Sequence, residues 1–199
     1  MCFGHTFFEE NNMEFEKSKT KENLARTFAG ECQDGARYQF MAQELAKQGF
    51  SFLSDTVKIL AKNEMAHAKA IYDLIVMYSN GEQYNIPIQA GFPFNTYDIP
   101  ESIERSIEIE KMEANNIYTA FAKVAQDEDF EQASELLTLI ANVENCHSML
   151  LEELYERFKS NKLYKKDKAT KWKCGQCGHE ETAKNAWQTC PLCKLGQAM

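Results

Sequence analysis

Charged side chains occupy positions where a helix bundle normally puts leucine. Four segments repeat apolar residues in alternating steps of three and four, the pattern of a buried helical seam. The first runs Leu24, Phe28, Glu31, Gly35, Tyr38, Ala42, Leu45, and the second Leu53, Val57, Leu60, Glu64, His67, Ile71, Leu74. The third runs Ile103, Ser106, Glu110, Glu113, Ile117, Ala120, Val124. The fourth runs Phe130, Ala133, Leu137, Ile140, Glu144, His147, Leu151, Leu154, Phe158. Carboxylates interrupt every seam near its middle, and the second and fourth carry Glu-x-x-His. Residues three apart share a helix face, so each such pair offers a carboxylate and an imidazole to one point. A single Glu-x-x-His is an everyday surface pair. Two on buried seams, matched by lone glutamates on the other two helices, are not.

Burying five carboxylates uncompensated costs several kcal/mol per ion. Two divalent metal ions nearly balance that charge. Oxygen ligands with two imidazoles suit iron or manganese better than a thiolate-seeking metal. A Glu from each of two helices with Glu-x-x-His from the other two is the ligand arrangement of dinuclear carboxylate bundles. The candidate ligands are Glu31, Glu64, His67, Glu110, Glu144 and His147. Glu113 is a further carboxylate, whose plain alternative is a salt bridge at the bundle end.

The connections fit the same architecture. Gly49 breaks the first pair of helices and Asp127-Glu128-Asp129 the second, so each pair is expected to be an antiparallel hairpin. Between the pairs, Asn80 to Pro100 carries Gly81, Pro87, Gly91, Pro93 and Pro100. Roughly 20 extended residues span about 60 Å, enough to travel the length of a bundle. One long crossover is the mark of the ferritin-like four-helix type. Asp98 suits the N-cap of the third helix, with Pro100 in its first turn.

A second motif lies near the C-terminus. Cys174 and Cys177, then Cys190 and Cys193, form two Cys-x2-Cys pairs. Each pair curls into a knuckle, and two knuckles make a tetrahedral thiolate site for iron or zinc, as in a rubredoxin-like or zinc-ribbon-like domain. Trp172 and Trp187 supply large side chains to so small a core. Cys2, Cys32 and Cys146 lie off these patterns and read as packing residues. The Lys-rich run from Lys159 to Lys173 reads as a solvated helix end and linker. The expected organisation is an arm or lead-in over residues 1–20, a bundle over 21–160, a linker over 161–170 and the cysteine module over 171–199.

A net charge of −8 disfavours nucleic acid as a partner. No apolar run is long enough to span a membrane, and the N-terminus has no signal-peptide pattern. Clustered cysteines at metal-ligand spacing fit a reducing, cytoplasmic setting.

Several stretches resemble the rubrerythrin family: Thr27 to Gln33, Glu64-Met65-Ala66-His67, Glu110-Lys111-Met112-Glu113, Glu144-Asn145-Cys146-His147 and the Cys174–Cys193 module, in that order. The resemblance implies an all-α ferritin-like bundle holding two irons, followed by a rubredoxin-like domain holding one more. It implies an NAD(P)H-linked peroxidase that reduces hydrogen peroxide to water in oxidative-stress defence. Electrons would reach the cysteine-bound iron from a reductase or a separate rubredoxin. By motif, Glu64 and Glu144 bridge the irons, and Glu31, Glu110 and His147 are terminal ligands. Glu113 and His67 exchange on one iron between oxidation states. Tyr38 and Tyr118 match tyrosines that hydrogen-bond ligand carboxylates. A head-to-tail homodimer is also implied. The sequence departs from the family at His179, where an aromatic is common, in its short stretch after Cys193, and in its longer lead-in. The competing reading is a ferritin-like protein that oxidises and handles iron.

Overall fold

A computed structural model describes residues 15–82, 85–94 and 98–197. The first hairpin joins α1 (Lys19–Lys47) to α2 (Ser51–Tyr78). Its turn is set by Gly49 at φ 87°, where the Phe50 amide returns to the Leu45 carbonyl at 2.8 Å. A left-handed residue just past a helix end satisfies otherwise orphaned carbonyls. The crossover follows, and Asp98 then caps α3 (Ile99–Met112) by accepting from the Glu101 amide. A π-helical turn, Glu113–Ile117, leads directly into α4 (Tyr118–Asp127), so α3 and α4 form one long rod. Asp129, at φ 65°, turns the chain into α5 (Glu131–Lys159).

The π turn corrects one expectation. Beyond Glu110, the sequence seam continued through Ile117, Ala120 and Val124. The buried residues are instead Ala114, Tyr118, Ala122 and Ala125, and Ala120 is exposed. A π turn holds one residue more than an α turn, so it rotates every later side chain around the rod.

Of the lead-in, residues 15–20 are described. Its first fourteen residues, with Cys2, lie outside the described residues. Phe15 is fully buried, in ring contact with Tyr78 and Phe130 at 5.0 and 5.6 Å. Ser18 caps α1 by accepting from the Lys21 amide. The backbone amides of Lys19 and Thr20 donate to Glu128, fastening the start of α1 to the second hairpin.

The core divides in two. One apolar cluster holds Leu45, Leu53, Leu60, Ile103 and Leu151, and the other Phe15, Leu24, Ile71, Leu137 and Ile140. On every helix the carboxylate and histidine positions fall between them. The polar layer is thus sealed above and below by apolar side chains.

After α5, β1 (Lys165–Lys173) pairs antiparallel with β2 (Glu180–Asn185), Trp172 opposite Glu181 and Lys173 opposite Glu180. Trp172 Nε1 donates to the Ala183 carbonyl at 3.0 Å. Among the described residues, no helix is long and apolar enough to cross a membrane.

Candidate metal centre

The midlayer of the bundle brings six ionisable groups into two overlapping sets. Glu31, Glu64, His67 and Glu144 form one, and Glu64, Glu110, Glu144 and His147 the other, each with its ligand atoms within 4.8 Å of one another. Glu64 and Glu144 belong to both, and each splits its oxygens between them. His67 Nδ1 lies 3.1 Å from Glu64 Oε2 and 3.0 Å from Glu144 Oε1. His147 Nδ1 lies 3.1 Å from Glu64 Oε1 and 2.7 Å from Glu144 Oε2. Glu31 completes the first set at 3.2 Å from His67 Nδ1, and Glu110 the second at 3.6 Å from His147 Nδ1.

These contacts are short, yet many are not aligned as hydrogen bonds. Buried Glu31 Oε1, Glu64 Oε1, Glu110 Oε2, both Glu144 oxygens and His147 Nδ1 have no hydrogen-bond partner. Buried polar atoms are almost always paired. Orphaned atoms converging on two points, from side chains two of which face both points, fit a pair of metal ions in oxygen and imidazole coordination.

The electrostatics carry the same imprint. Burial pushes the Glu31 carboxyl up to about 7 and that of Glu110 up to about 8, against the opposing pull of His67 and His147 respectively. Burial would raise Glu144 as well, but the close imidazoles of His147 and His67 outweigh it and hold the carboxyl at about 2. Burial opposes protonation of both imidazoles, yet the surrounding carboxylates push each up to about 12. Without metal, protons must therefore stand in for the missing positive charge.

Two tyrosines reach into the layer, one from each apolar cluster. Tyr38 donates to Glu110 Oε1. Tyr118 donates to Glu113 Oε1 at 3.3 Å. Glu113 belongs to neither ligand set. Burial, then repulsion from Glu110, Glu31 and Glu144, holds its carboxyl well above the usual range and favours its protonated form.

Two further features were not read from the sequence. Arg37 pairs with the buried Asp34 one helical turn earlier, and its guanidinium feels the charges of Glu113, Glu110 and Glu64. Asn63 Nδ2 lies 3.3 Å from His147 Nε2. Both look like ordinary polar helix residues until the rods are assembled.

In the C-terminal module all four cysteines converge, their sulfurs within 4.8 Å of one another. Cys174 lies 3.7 Å from Cys193, and Cys177 3.7 Å from Cys190. The two knuckles repeat one backbone pattern. The Gly178 amide donates to the Cys174 carbonyl and the Lys194 amide to that of Cys190, both at 3.0 Å. Backbone amides of Cys177 and Gln176 lower the Cys174 thiol to about 6. The His179 amide favours the Cys177 thiolate, but desolvation and the neighbouring sulfurs push that thiol up to about 12. The His179 ring lies 5.2 Å from that of Trp187. Cys32 and Cys146 are free and outside both centres.

Fold and site together define a dinuclear carboxylate bundle protein of ferritin-like architecture with an appended four-cysteine, rubredoxin-like metal module. The chain belongs to the rubrerythrin family, whose model, described as Rubrerythrin, matches residues 22–155 and 101–177. It is 34% identical to the rubrerythrin of Clostridium perfringens over 91% of this chain and 92% of that one. It is 33% identical to rubrerythrin-1 of Clostridium acetobutylicum over 91% and 92%. Among solved structures, nigerythrin in a partially reduced state superposes with a TM-score of 0.63 at 22% identity, covering 98% of this chain and 96% of the other. The bacterioferritin of Desulfovibrio desulfuricans superposes with a TM-score of 0.67 at 20% identity, over 77% and 86%. The last two likenesses establish the fold.

Proposed function

We propose that this chain is a peroxidase that reduces hydrogen peroxide to water at the midlayer of the bundle, drawing electrons through the four-cysteine module. The observation that carries the reading is the pair of ligand sets sharing Glu64 and Glu144, in a chain that also holds four converging cysteines. Storage or simple oxidation of iron has no need of the second centre.

Glu31, Glu64, His67 and Glu144 would hold one iron, and Glu64, Glu110, Glu144 and His147 the other. Two ferrous ions held there would supply the two electrons, and the Lewis acidity, that cleavage of an O–O bond requires. Reduction of one peroxide to two waters also consumes two protons. Glu113, whose protonated form burial favours and whose Oε1 accepts from the Tyr118 hydroxyl, is placed beside the ligand sets to supply one. Releasing that proton leaves a carboxylate next to the first set. The exchange of Glu113 and His67 as ligands, implied by the family likeness, is consistent with this placement on a π turn. The apolar clusters on either side limit bulk water in the layer.

Electrons returning to the bundle would come ultimately from a reduced pyridine nucleotide through a reductase or rubredoxin. A homodimer would cover some of the apolar surface left exposed at Phe40, Phe52, Ile59 and Leu139. Reduced cysteines favour a cytoplasmic location.

The test is anaerobic. Fully reduced, iron-loaded protein receives one equivalent of hydrogen peroxide, and the return of thiolate-to-iron absorbance is followed, then repeated with oxygen. Fast stoichiometric oxidation by peroxide and slow oxidation by oxygen is the expected result. Equal rates would favour an iron-oxidising protein of the ferritin kind.

A further inference from the structure

The two histidines are held differently. His147 turns Nδ1 into the cluster and Nε2 toward Asn63, 3.3 Å away on α2. His67 also turns Nδ1 inward, but among the described residues nothing hydrogen-bonds its Nε2. His147 is also the more enclosed, with its side chain 6% exposed against 13% for His67.

We infer that Asn63 is a positioning residue that orients the His147 imidazole as a ligand of the di-iron centre. Nδ1 of His147 faces Glu64, Glu110 and Glu144. If Nδ1 binds a metal ion, its lone pair is used there and the ring proton must sit on Nε2. Nε2 then donates outward, and Asn63, 3.3 Å away, accepts through Oδ1. A carboxamide can present either end. An outer acceptor of this kind locks the tautomer, fixes the plane of the ring and makes the inner nitrogen a better ligand.

The chain supplies this anchor economically. Asn63 immediately precedes Glu64, so the same turn of α2 provides a shared carboxylate to both sites and the outer partner of the opposite helix's imidazole. His67, four residues further on, has no such partner among the described residues. The inference rests on the di-iron reading of the site and deepens it.

The test uses diferrous protein in anaerobic water and reads the exchangeable imidazole N–H resonances, shifted by the paramagnetic ions. Two such signals are expected, one exchanging slowly with solvent and one quickly. In Asn63→Leu the slow signal should become fast or disappear. Ferrous affinity of the bundle should fall about 10- to 100-fold, the usual effect of losing an outer partner. Absorbance of the cysteine-bound iron should not change. Asn63→Asp keeps an acceptor and should retain the slow signal, with affinity within a few-fold of the parent. A slow signal that survives Asn63→Leu, or that is lost equally in both variants, overturns the inference. A parent protein that shows no shifted imidazole signal because the bundle takes up no iron overturns the di-iron reading itself.

Discussion

The rings of His67 and His147 lie nearly parallel, centroids 5.9 Å apart and planes 25° off, and both aim Nδ1 at the same two carboxylates, Glu64 and Glu144. The acids between them are what lets two imidazoles so close together take up protons. Protons and metal ions therefore compete for the same atoms, and the stability of the bundle depends on which is present.

Stability of the metal-free protein should fall as pH rises. Glu31 and Glu110 sit at about 7 and about 8 in the fold, above their ordinary 4.5. The fold binds these protons more tightly than the unfolded chain, so their contribution is lost as pH climbs from about 4.5 to about 8. The histidines, raised to about 12 from 6.5, contribute fully below 6.5 and lose that contribution as pH rises through 12. Glu144, lowered to about 2, acts in the opposite sense, its contribution present above 4.5 and lost as pH falls toward 2. Thermal unfolding of chelator-treated protein should show a falling midpoint between about pH 5 and about pH 9, while iron-loaded protein should lose little. A flat profile without metal would contradict this balance.

Tyr38→Phe should weaken the Glu110 side of the centre. The change leaves Glu110 Oε1 buried without its donor. Such a loss costs about 1–3 kcal/mol. Chemical denaturation of the metal-free variant at neutral pH should show that loss, with thiolate-to-iron absorbance unaffected.

The register shift at Glu113–Ile117 predicts an asymmetry between neighbours. Ala120 is exposed and Ala122 buried. Ala120→Lys should change stability by no more than about 0.5 kcal/mol, whereas Ala122→Lys should destabilise by several kcal/mol. Equal effects in thermal unfolding would mean that the rod has no extra residue.

That shift marks the boundary of what the sequence discloses. The seams of α1, α2 and α5 could be read because an uninterrupted α period carries Leu24, Leu60 and Leu137 to the same side as the ligands. The π turn Glu-Ala-Asn-Asn-Ile has no compositional mark, so periodicity misplaced Ala120 and missed Tyr118 as a seam residue. Tyr118 was found through family likeness. Phe15 is a lone aromatic in a polar stretch, and only its contact with Tyr78 and Phe130 gives it a role. Asn63 needs a partner from α5, across a gap in the chain that no local pattern spans. The cysteines were legible because knuckle spacing is itself local.

The two knuckles place different residues just after the second cysteine. Gly178 adopts φ 75° and Lys194 φ 63°. Left-handed backbone costs a side-chain-bearing residue about 1–2 kcal/mol, partly offset in glycine by its unfolded-state entropy. Lys194→Gly should therefore raise the temperature at which thiolate-to-iron absorbance is lost, and Gly178→Ala should lower it. The opposite order would remove the parallel between the knuckles.

The central claim is that two ions share Glu64 and Glu144, and iron content with magnetic susceptibility of the oxidised protein tests it most directly. The account predicts two bundle irons per chain in addition to the cysteine-bound one, antiferromagnetically coupled. Glu144→Ala should abolish the coupling while the cysteine iron remains. A single bundle iron, or two that are magnetically independent, would contradict it.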